Sequence, residues 1–271
     1  MKTGKRIRTF RERKGLTQQA VAERIGVSFQ AVSSWERDEY VPDMANLLAL
    51  AEVLDVSPAQ ILEEKDYGWE LKDRFFDEKN MYTFLSSLAT AKGFGRLKQA
   101  LPFAREAHRS SKRAGGDVPY INHPLTMACH ACAMGIGDDA VLAAILLHDT
   151  VEDCGIRPED LPGGEEVREL TELLTKKKRA GENKTAAEKR YYEAIGKNPK
   201  ASLIKCIDRV NNVSTMAGGF SREKMAEYVT ETETYIVPLL DVVKGQPEYS
   251  RAAWLLRYQL TALLETQKRL L

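Results

Sequence analysis

The sequence predicts an all-α protein made of a small five-helix domain and a larger helical domain. Apolar residues recur every three or four positions along most of the 271 residues, which is the period of amphipathic helices. Capping residues, glycines and prolines interrupt this pattern often, so the helices should be short. No stretch shows the alternation typical of a strand. The length allows more than one domain, each with its own core.

Charge and composition narrow the class of protein. The 40 Lys and Arg residues balance 39 Asp and Glu residues, so the whole chain has no bias toward polyanions. No segment approaches the roughly 18 apolar residues that span a bilayer, and the N-terminus lacks an apolar signal core. We therefore expect a cytoplasmic protein without a membrane partner, whose four cysteines are reduced. The first fourteen residues are strongly basic, which fits either a solvated helix face or contact with nucleic acid.

Five short helical patterns fill the first domain, which we place at residues 1–66. Thr17 and Ser28 stand at helix starts, and Gly26 is a stop signal between them. Two helices joined by Gly26-Val27 form a helix-turn-helix arrangement. The predicted helices are Lys5–Lys14, Gln18–Ile25, Phe29–Glu36, one that Asp43 opens and one that Ser57 opens.

The stretch from Leu16 to Glu36, LTQQAVAERIGVSFQAVSSWE, resembles lambda-repressor/Cro-type DNA-binding domains, and the resemblance covers residues 4–62. It implies that the 29–36 helix enters the major groove of operator DNA, with the protein bound as a homodimer. An amide can bond adenine in two places, and an aromatic ring can touch a thymine methyl. The alternative is a protein-interaction module without DNA affinity. The implied DNA contacts are Gln18, Phe29, Gln30, Ser33, Ser34 and Arg37.

Residues 67–94 are predicted to be a linker followed by a connecting helix from about Asp77 to Lys92. The linker is charged and poorly periodic, yet it holds Trp69, Phe75 and Phe76. We expect these aromatic residues to pack against one domain or to form a dimer contact.

The larger domain is placed at residues 95–271. Cys129-x-x-Cys132 lies in an Ala- and Met-rich helix without a second CxxC, so both cysteines are interpreted as buried small hydrophobic residues. The predicted helices are Gly95–Arg113, Leu125–Met134, Val141–Leu147, Glu165–Leu174, 185–195, Lys200–Val213 and two apolar helices at the end.

A dense group of ionisable residues follows the apolar 141–147 helix. On a continuing helix His148 and Glu152 are four residues apart, as are Asp149 and Asp153, so all four should project from neighbouring faces. Four such groups beside an apolar helix are costly unless they bind a cation or take part in catalysis.

Two further residues complete a candidate metal site. His123 stands before a proline at a helix start, and Asp208 lies in a helix with an apolar opposite face. With His148 and Asp149 they give two nitrogens and two carboxylates, a set that suits Mn²⁺ or another divalent transition metal. Glu152 and Asp153 then remain as an acid/base pair. The chain's other histidines, His108 and His130, are interpreted as surface or core residues.

Residues 96 to about 240 resemble the HD hydrolase domain of Rel/SpoT-type alarmone enzymes, and most closely the small stand-alone alarmone hydrolases. The segments that carry the resemblance are Ala107-His108, Lys112-Arg113, Pro119-Tyr120-Ile121-Asn122-His123-Pro124, His148-Asp149-x-x-Glu152-Asp153, Lys205-x-x-Asp208-Arg209-x-x-Asn212 and Thr215.

This resemblance implies a hydrolase that removes the 3′-pyrophosphate of (p)ppGpp. One Mn²⁺ would be bound by His123, His148, Asp149 and Asp208, with Glu152 and Asp153 as catalytic carboxylates. Substrate would be bound by Lys112 and Arg113 along the base and by Asn212 and Thr215 at the ribose and phosphate.

The sequence departs from the long Rel/SpoT enzymes at two places. Asn211 stands where they usually have histidine, and the turn before Pro119 is longer. Two alternatives stay open. One is a nucleotide-sensing transcriptional repressor whose HD domain is weakly active or inactive, and the other is an HD hydrolase of NADPH, ppApp or a dNTP.

Overall fold

The computed structural model describes residues 3–62, 77–113, 118–177, 179–216 and 220–271. The chain divides into two compact units, Met1–Leu71 and Lys72–Leu271. In these described ranges every regular element is helical, apart from an isolated antiparallel bridge between Lys112 and Pro119. The predicted all-α class is therefore confirmed. None of the helices described has the length and apolar content needed to cross a membrane.

The first unit contains the five predicted helices. A capping residue precedes each of α2, α3 and α4, and its side chain accepts a backbone N–H from the first turn of the helix. The capping residues are Thr17, Ser28 and Asp43 respectively. Gly26 ends α2 with φ of 73°, a left-handed conformation that glycine adopts without strain. The helices are α1 Thr3–Arg13, α2 Gln18–Ile25, α3 Phe29–Glu36, α4 Met44–Leu54 and α5 Pro58–Leu62.

Helices α1 and α3 approach closely because α1 carries a glycine at their contact. A Cβ on Gly4 would overlap the carbonyl oxygen of Trp35. The buried carboxylate of Glu36 then joins three helices: it accepts from Arg11 Nε at 2.6 Å and from Gln18 Nε2 at 2.7 Å. A buried carboxylate without such partners would be costly, so this network specifies how α1, α2 and α3 pack.

The second unit is built from eleven helices among its described residues. Two short 3₁₀ turns, Pro158–Asp160 and Pro247–Tyr249, and a π-helical turn, Thr232–Ile236, lie between them. The helices are α6 Glu78–Lys92, α7 Gly95–Ala107, α8 Asn122–Ala133, α9 Asp139–Leu147, α10 Thr150–Cys154, α11 Glu165–Leu174, α12 Lys184–Ile195, α13 Pro199–Thr215, α14 Arg222–Glu231, α15 Val237–Lys244 and α16 Ser250–Leu270.

Helix α6 belongs to the core of this unit, which corrects its assignment to a connecting segment. Met81, Leu85 and Ala89 are buried on one face and contribute to the same apolar cluster as α8 and α9. This packing was hard to predict, because α6 is amphipathic over only three inward positions. The predicted linker aromatic residues, Trp69, Phe75 and Phe76, lie outside the described residues.

Helix α9 is the centre of the second unit, since every residue from Ala140 to Leu147 is buried. Its N-terminus is fixed by Asp138, which accepts the N–H groups of Ala140 and Val141. The neighbouring carboxylate of Asp139 accepts the first N–H groups of α7. Helix α9 therefore holds His148, the residue that caps its C-terminus, at a fixed depth in the core.

The prediction of one continuous helix through residues 148–153 is wrong. Helix α9 ends at Leu147, and α10 begins at Thr150 after a tight turn. The Thr150 hydroxyl donates to the carbonyl oxygen of Leu147 at 2.6 Å, and His148 Nδ1 bonds that of Ile145 at 2.8 Å. These side chains satisfy carbonyl groups that the helix end leaves free, which allows the break.

The helix predicted over Gly95–Arg113 is also shorter in the structure, because it ends at Ala107. Lys112 forms the isolated bridge with Pro119, and the N–H of Arg113 donates to the carbonyl oxygen of Val118. Helix α8 begins three residues earlier than predicted, so His123 and the proline after it form its first turn. Proline is tolerated there because the first N–H groups of a helix have no intrahelical partner.

Candidate functional sites

His123, His148 and Asp149 form a compact group of possible metal ligands. One ligand atom from each lies within 4.8 Å of the others. His148 Nε2 is 2.8 Å from Asp149 Oδ2, and His123 Nε2 is 3.8 Å from the same oxygen. The group forms because the first turn of α8 meets the end of α9.

Asp208, from the middle of α13, faces the same point. Its Oδ1 lies 3.3 Å from His123 Nε2 and 3.9 Å from His148 Nε2, while its Oδ2 accepts from Lys205 Nζ at 2.8 Å. Burial would raise the pKa of Asp208, but Lys205 and the histidines outweigh it and hold the pKa well below its usual value. The carboxylate is therefore charged where the two Nε2 atoms converge.

Both histidines direct Nε2 toward this point. His148 Nδ1 bonds the Ile145 carbonyl, and His123 Nδ1 bonds Asn211 Oδ1 at 2.6 Å. Because both partner oxygens can only accept a hydrogen bond, each histidine must carry a hydrogen on Nδ1. Nε2 is then the nitrogen of each ring that can bind a proton or a metal ion. His148 Nε2 is buried and makes no hydrogen bond to a described residue, since its contact with Asp149 lacks the required geometry. These residues fit a divalent cation.

Electrostatics at His148 support the same conclusion. Burial alone would lower the pKa of this histidine, but the carboxylates of Asp149 and Asp208 outweigh burial and raise it to about 9. The two carboxylates thus draw positive charge to the position between the imidazole rings. A metal ion satisfies the same attraction and accepts the Nε2 lone pairs.

Two residues that orient the ligands were missed as site residues. The Tyr120 hydroxyl donates to Asp149 Oδ2 at 2.6 Å, and Asn211 accepts from both His123 and Arg113. Because a guanidinium can only donate, the Asn211 atom that it meets must be the amide oxygen. Both residues lie within the motif segments or beside them, but nothing in the sequence indicates which distant ligand each would contact.

The four predicted substrate-binding residues differ in their surroundings. Arg113 and Asn212 bond each other, Nη2 to Oδ1 at 2.9 Å, and Asn212 Nδ2 donates to Asp208 at 2.6 Å. Lys112, the residue before Arg113, is exposed. Thr215 is exposed, and its hydroxyl bonds the carbonyl of Asn211 within its own helix. Arg113 and Asn212 are thus held near the ligand group, and Thr215 lies at the end of α13.

The predicted acid/base pair lies in α10, one turn after Asp149. Glu152 is exposed, and its Oε2 accepts the backbone N–H of Lys176 at 3.1 Å. Partial burial and the charge of Asp149 raise the pKa of Asp153 above its usual value. The structure gives Glu152 a fixed backbone donor, a contact that its position in the motif does not predict.

His108 is a core residue, one of the two alternatives predicted for it. Its ring packs against Tyr120 with centroids 4.8 Å apart and the planes tilted by 35°, and its Nδ1 lies 3.3 Å from Cys154 Sγ. Burial lowers the pKa of His108 to about 4, so its imidazole is neutral at physiological pH. It supports the tyrosine that contacts Asp149.

Cys129 and Cys132 have apolar packing partners, as predicted, but they are less buried than their interpretation as buried hydrophobic residues requires. Cys129 and Cys132 are half-buried and pack against the main core, and burial raises their pKa values to about 12 and about 11. All four cysteines are free thiols.

Helix α3 of the first unit exposes two of the residues predicted to contact DNA bases. Phe29 is 43 % exposed, and Gln30 is exposed beside it. Ser33 and Ser34 are half-buried rather than exposed: Ser33 accepts from Arg37 Nη1, and the Ser34 hydroxyl donates to the carbonyl of Ala31. Ser33 and Ser34 lie one turn after Phe29 and Gln30 on the same face of α3. Their short side chains and these hydrogen bonds, and not their direction, account for their lower exposure.

Gln18 and Arg37, which are predicted to contact the DNA backbone, already have partners within the protein. Gln18 Nε2 donates to Glu36 at 2.7 Å. Arg37 makes a bidentate pair with Glu39, and each of its two hydrogen bonds is 2.8 Å long. Gln18 retains one N–H and Arg37 retains its positive charge, which Glu39 neutralises locally. The sequence-based prediction did not include this neutralisation.

The fold and the two groups of residues define an α-helical protein with a helix-turn-helix unit and a buried His/Asp centre. Comparison with known families agrees: a Helix-turn-helix family model matches residues 7–61, and an HD domain model matches residues 100–239. The second match covers more than half of the chain. The chain belongs to the HD domain family and carries a lambda-repressor/Cro-type helix-turn-helix at its N-terminus.

Curated relatives include alarmone enzymes. The chain is 35 % identical over 147 residues to the guanosine-3′,5′-bis(diphosphate) 3′-pyrophosphohydrolase of Aquifex aeolicus. It is 38 % identical over 149 residues to the GTP pyrophosphokinase of Streptomyces coelicolor. Each match covers 53 % of this chain but only 21 % and 17 % of those relatives, so the chain spans about a fifth of their length.

A solved structure shares the fold of the larger unit. It was described as a metazoan ortholog of SpoT that hydrolyses ppGpp and plays a role in starvation responses. The match has a TM-score of 0.52 at 24 % identity and covers 64 % of this chain and 96 % of that one. It supports the fold alone.

Proposed function

We propose that this protein is a Mn²⁺-dependent hydrolase that removes the 3′-pyrophosphate of a ppGpp-like nucleotide, and that its helix-turn-helix unit binds operator DNA. The observation that carries the enzymatic part is the convergence of two histidine Nε2 atoms with the carboxylates of Asp149 and Asp208. The relatives named for 3′-pyrophosphohydrolysis supply the substrate class.

The proposed metal ligands are His123, His148, Asp149 and Asp208. Two imidazoles and two carboxylates suit Mn²⁺ and accept other divalent transition metals. A cation bound there supplies Lewis acidity toward a phosphoryl group and toward water. Asn211 and Tyr120 keep the ligands oriented, because each holds the ligand atom or ring that it contacts in one position.

Proton transfer is assigned to Glu152 and Asp153. Both are exposed on α10, one turn beyond Asp149, where substrate and water can reach them. Hydrolysis of a 3′-pyrophosphate adds water across the ester bond and releases pyrophosphate and a 3′-hydroxyl. One carboxylate can take the proton of the attacking water, and the other can return a proton to the leaving oxygen.

Substrate binding is assigned to Lys112, Arg113, Asn212 and Thr215. Arg113 donates to both Asn211 and Asn212, which fixes the plane of its guanidinium. A fixed planar cation stacks well on a purine base, whereas Lys112 offers a point charge to phosphate. Asn212 and Thr215 follow Asp208 along α13 and can reach the ribose and the 3′-phosphate side of the same nucleotide.

DNA binding is assigned to the exposed start of α3 and its surroundings. Gln30 and Phe29 are the base-reading residues, while Gln18, Ser33, Ser34 and Arg37 contribute backbone or peripheral contacts. Two heads on one duplex require a homodimer that reads two half-sites. DNA binding is common to both candidate functions. The second candidate, a repressor that only senses nucleotide, differs in that its HD domain binds nucleotide without hydrolysing it.

A product assay separates these functions. Purified full-length protein is incubated with Mn²⁺ and, in parallel, with ppGpp, ppApp, NADPH and dNTPs, and released pyrophosphate and phosphate are quantified. The proposal expects pyrophosphate from ppGpp. Turnover of another nucleotide alone reassigns the substrate, and tight nucleotide binding without any turnover supports the sensor.

A further inference from the structure

Helix α16 exposes an aromatic pair that nothing in the proposed function uses. Trp254 is 66 % exposed and Tyr258 is 64 % exposed, and their rings stack at 5.8 Å with only 3° between their planes. Exposed tryptophan and tyrosine side chains side by side are rare on a surface that contacts only water. Both types are enriched at the centres of protein interfaces.

The exposed residues around this pair have a symmetric arrangement. Arg251, Trp254, Tyr258, Ala262 and Glu265 are all exposed and are separated by three, four, four and three residues. At 3.6 residues per turn they fall within an arc of about 80°, so they form one stripe along the helix. The spacing of the stripe is symmetric about Tyr258. Its two end residues, Arg251 and Glu265, have opposite charges, and its two inner residues, Trp254 and Ala262, differ in size.

We propose that α16 pairs antiparallel with α16 of a second copy of this chain, about a twofold axis beside Tyr258. In that arrangement each residue faces the one equally far on the other side of Tyr258. Arg251 then meets the second copy's Glu265, and Trp254 meets its Ala262. Each pair occurs twice, so opposite charges meet at both ends and each large ring lies over a small side chain.

The charged ends remain available for this pairing. The side chain of Glu265 is 59 % exposed, and its neighbour Lys268 lies 3.7 Å away but makes a closer contact, 2.6 Å, with Glu233. The aromatic residues of two copies would together bury roughly 500 Å² of the approximately 1,000 Å² expected of a specific interface. Leu255, half-buried next to Trp254, and the shallow cavity beside Trp254 enlarge the contact.

A second copy is favoured over another partner because the stripe complements itself. The helix-turn-helix unit independently favours two copies, since proteins of this type read paired half-sites. This inference does not depend on the metal site or on the substrate assigned to it.

Charge exchange in the full-length protein tests the pairing. The dimer dissociation constant is measured by sedimentation equilibrium for the wild type, Arg251→Glu, Glu265→Arg and the variant with both changes. Each single change places like charges together and should weaken the dimer about tenfold or more, whereas the double change restores opposite charges and should recover most of the affinity. Lys98→Glu, a charge reversal at an exposed position of α7, is the matched control and should have no effect.

A disulfide test covers variants that fold poorly. Residues beside a twofold axis meet their own counterparts, so Tyr258→Cys should form an intermolecular disulfide on mild oxidation, and Lys98→Cys should not. A monomeric wild type, single charge reversals that leave the dimer unchanged, or a double variant no better than the single ones would each overturn the proposal.

Discussion

At the residue scale, Asn211 determines how His123 presents itself to the proposed metal. Its amide oxygen accepts from His123 Nδ1 at 2.6 Å and from Arg113 Nη1 at 3.1 Å. One side chain therefore selects the imidazole tautomer and also holds the arginine assigned to the base. Such a residue influences metal affinity without contacting the metal.

Asn211→Ala should weaken Mn²⁺ binding about 10- to 100-fold, because His123 loses the acceptor that fixes its tautomer. Metal affinity is measured by competition with a chelating dye. Ser214→Ala, on the same helix and exposed, is the control and should bind Mn²⁺ as the wild type does. Equal affinity in Asn211→Ala would remove the orienting role assigned to this residue.

We expect Glu39 to limit the contribution of Arg37 to DNA binding, since it pairs with Nε and Nη2 of the guanidinium. Glu39→Gln should increase affinity for random duplex DNA and make the slope of log K against log salt steeper by up to about 0.9, one phosphate contact. Glu23→Gln removes an equal charge from α2 and serves as the control. If both variants show the same slope, the change reflects net charge and not the release of Arg37.

The residues of the His/Asp centre could be singled out because each lies in a local motif beside an apolar helix. Their role as metal ligands stays a prediction. Asn211 and Tyr120 could not be assigned their roles, since the contact of Asn211 with His123 joins residues 88 positions apart. The engagement of Arg37 by Glu39 was missed for a different reason: the residues are neighbours, but only the loop conformation decides whether they pair.

At the element scale, α1 and α3 depend on the absence of a side chain at Gly4. Gly4→Ala should destabilise the first unit by about 1–3 kcal/mol, because backbone atoms of α3 occupy the space of the added methyl group. Thermal unfolding followed by Trp35 fluorescence, with the other tryptophans replaced by phenylalanine, measures this. Gly95→Ala, where the added carbon meets open space, should leave the unfolding of the first unit unchanged. An unaltered melting temperature in Gly4→Ala would contradict the close helix contact.

Helix positions were predicted well where capping residues and apolar periodicity agree, as in α2 and α3. They failed where local hydrogen bonds from side chains to the backbone end a helix. Helix α9 stops at Leu147 because Thr150 and His148 bond its last carbonyl groups, whereas periodicity alone continues through the motif. Helix α6 was placed outside the larger unit because core contacts are not visible in a sequence.

At the scale of the whole molecule, the chain combines a helix-turn-helix unit with an HD domain. The charge of the chain is balanced, so its composition indicated neither DNA binding nor hydrolysis. Both hypotheses came from motif residues. The segment between the units contains the boundary, and sequence periodicity is weakest there. We propose that in the larger unit the His/Asp centre and the two carboxylates of α10 together hydrolyse a 3′-pyrophosphate.

The most direct measurement follows release of pyrophosphate from ppGpp by metal-stripped protein as Mn²⁺ is restored. The account predicts that activity returns with about one Mn²⁺ per chain. It further predicts that the Glu152→Gln, Asp153→Asn double variant binds the same amount of Mn²⁺ but loses turnover, because acid/base chemistry is removed and the ligands are kept. Full activity without metal, or an active double variant, would contradict the proposed metal-dependent mechanism.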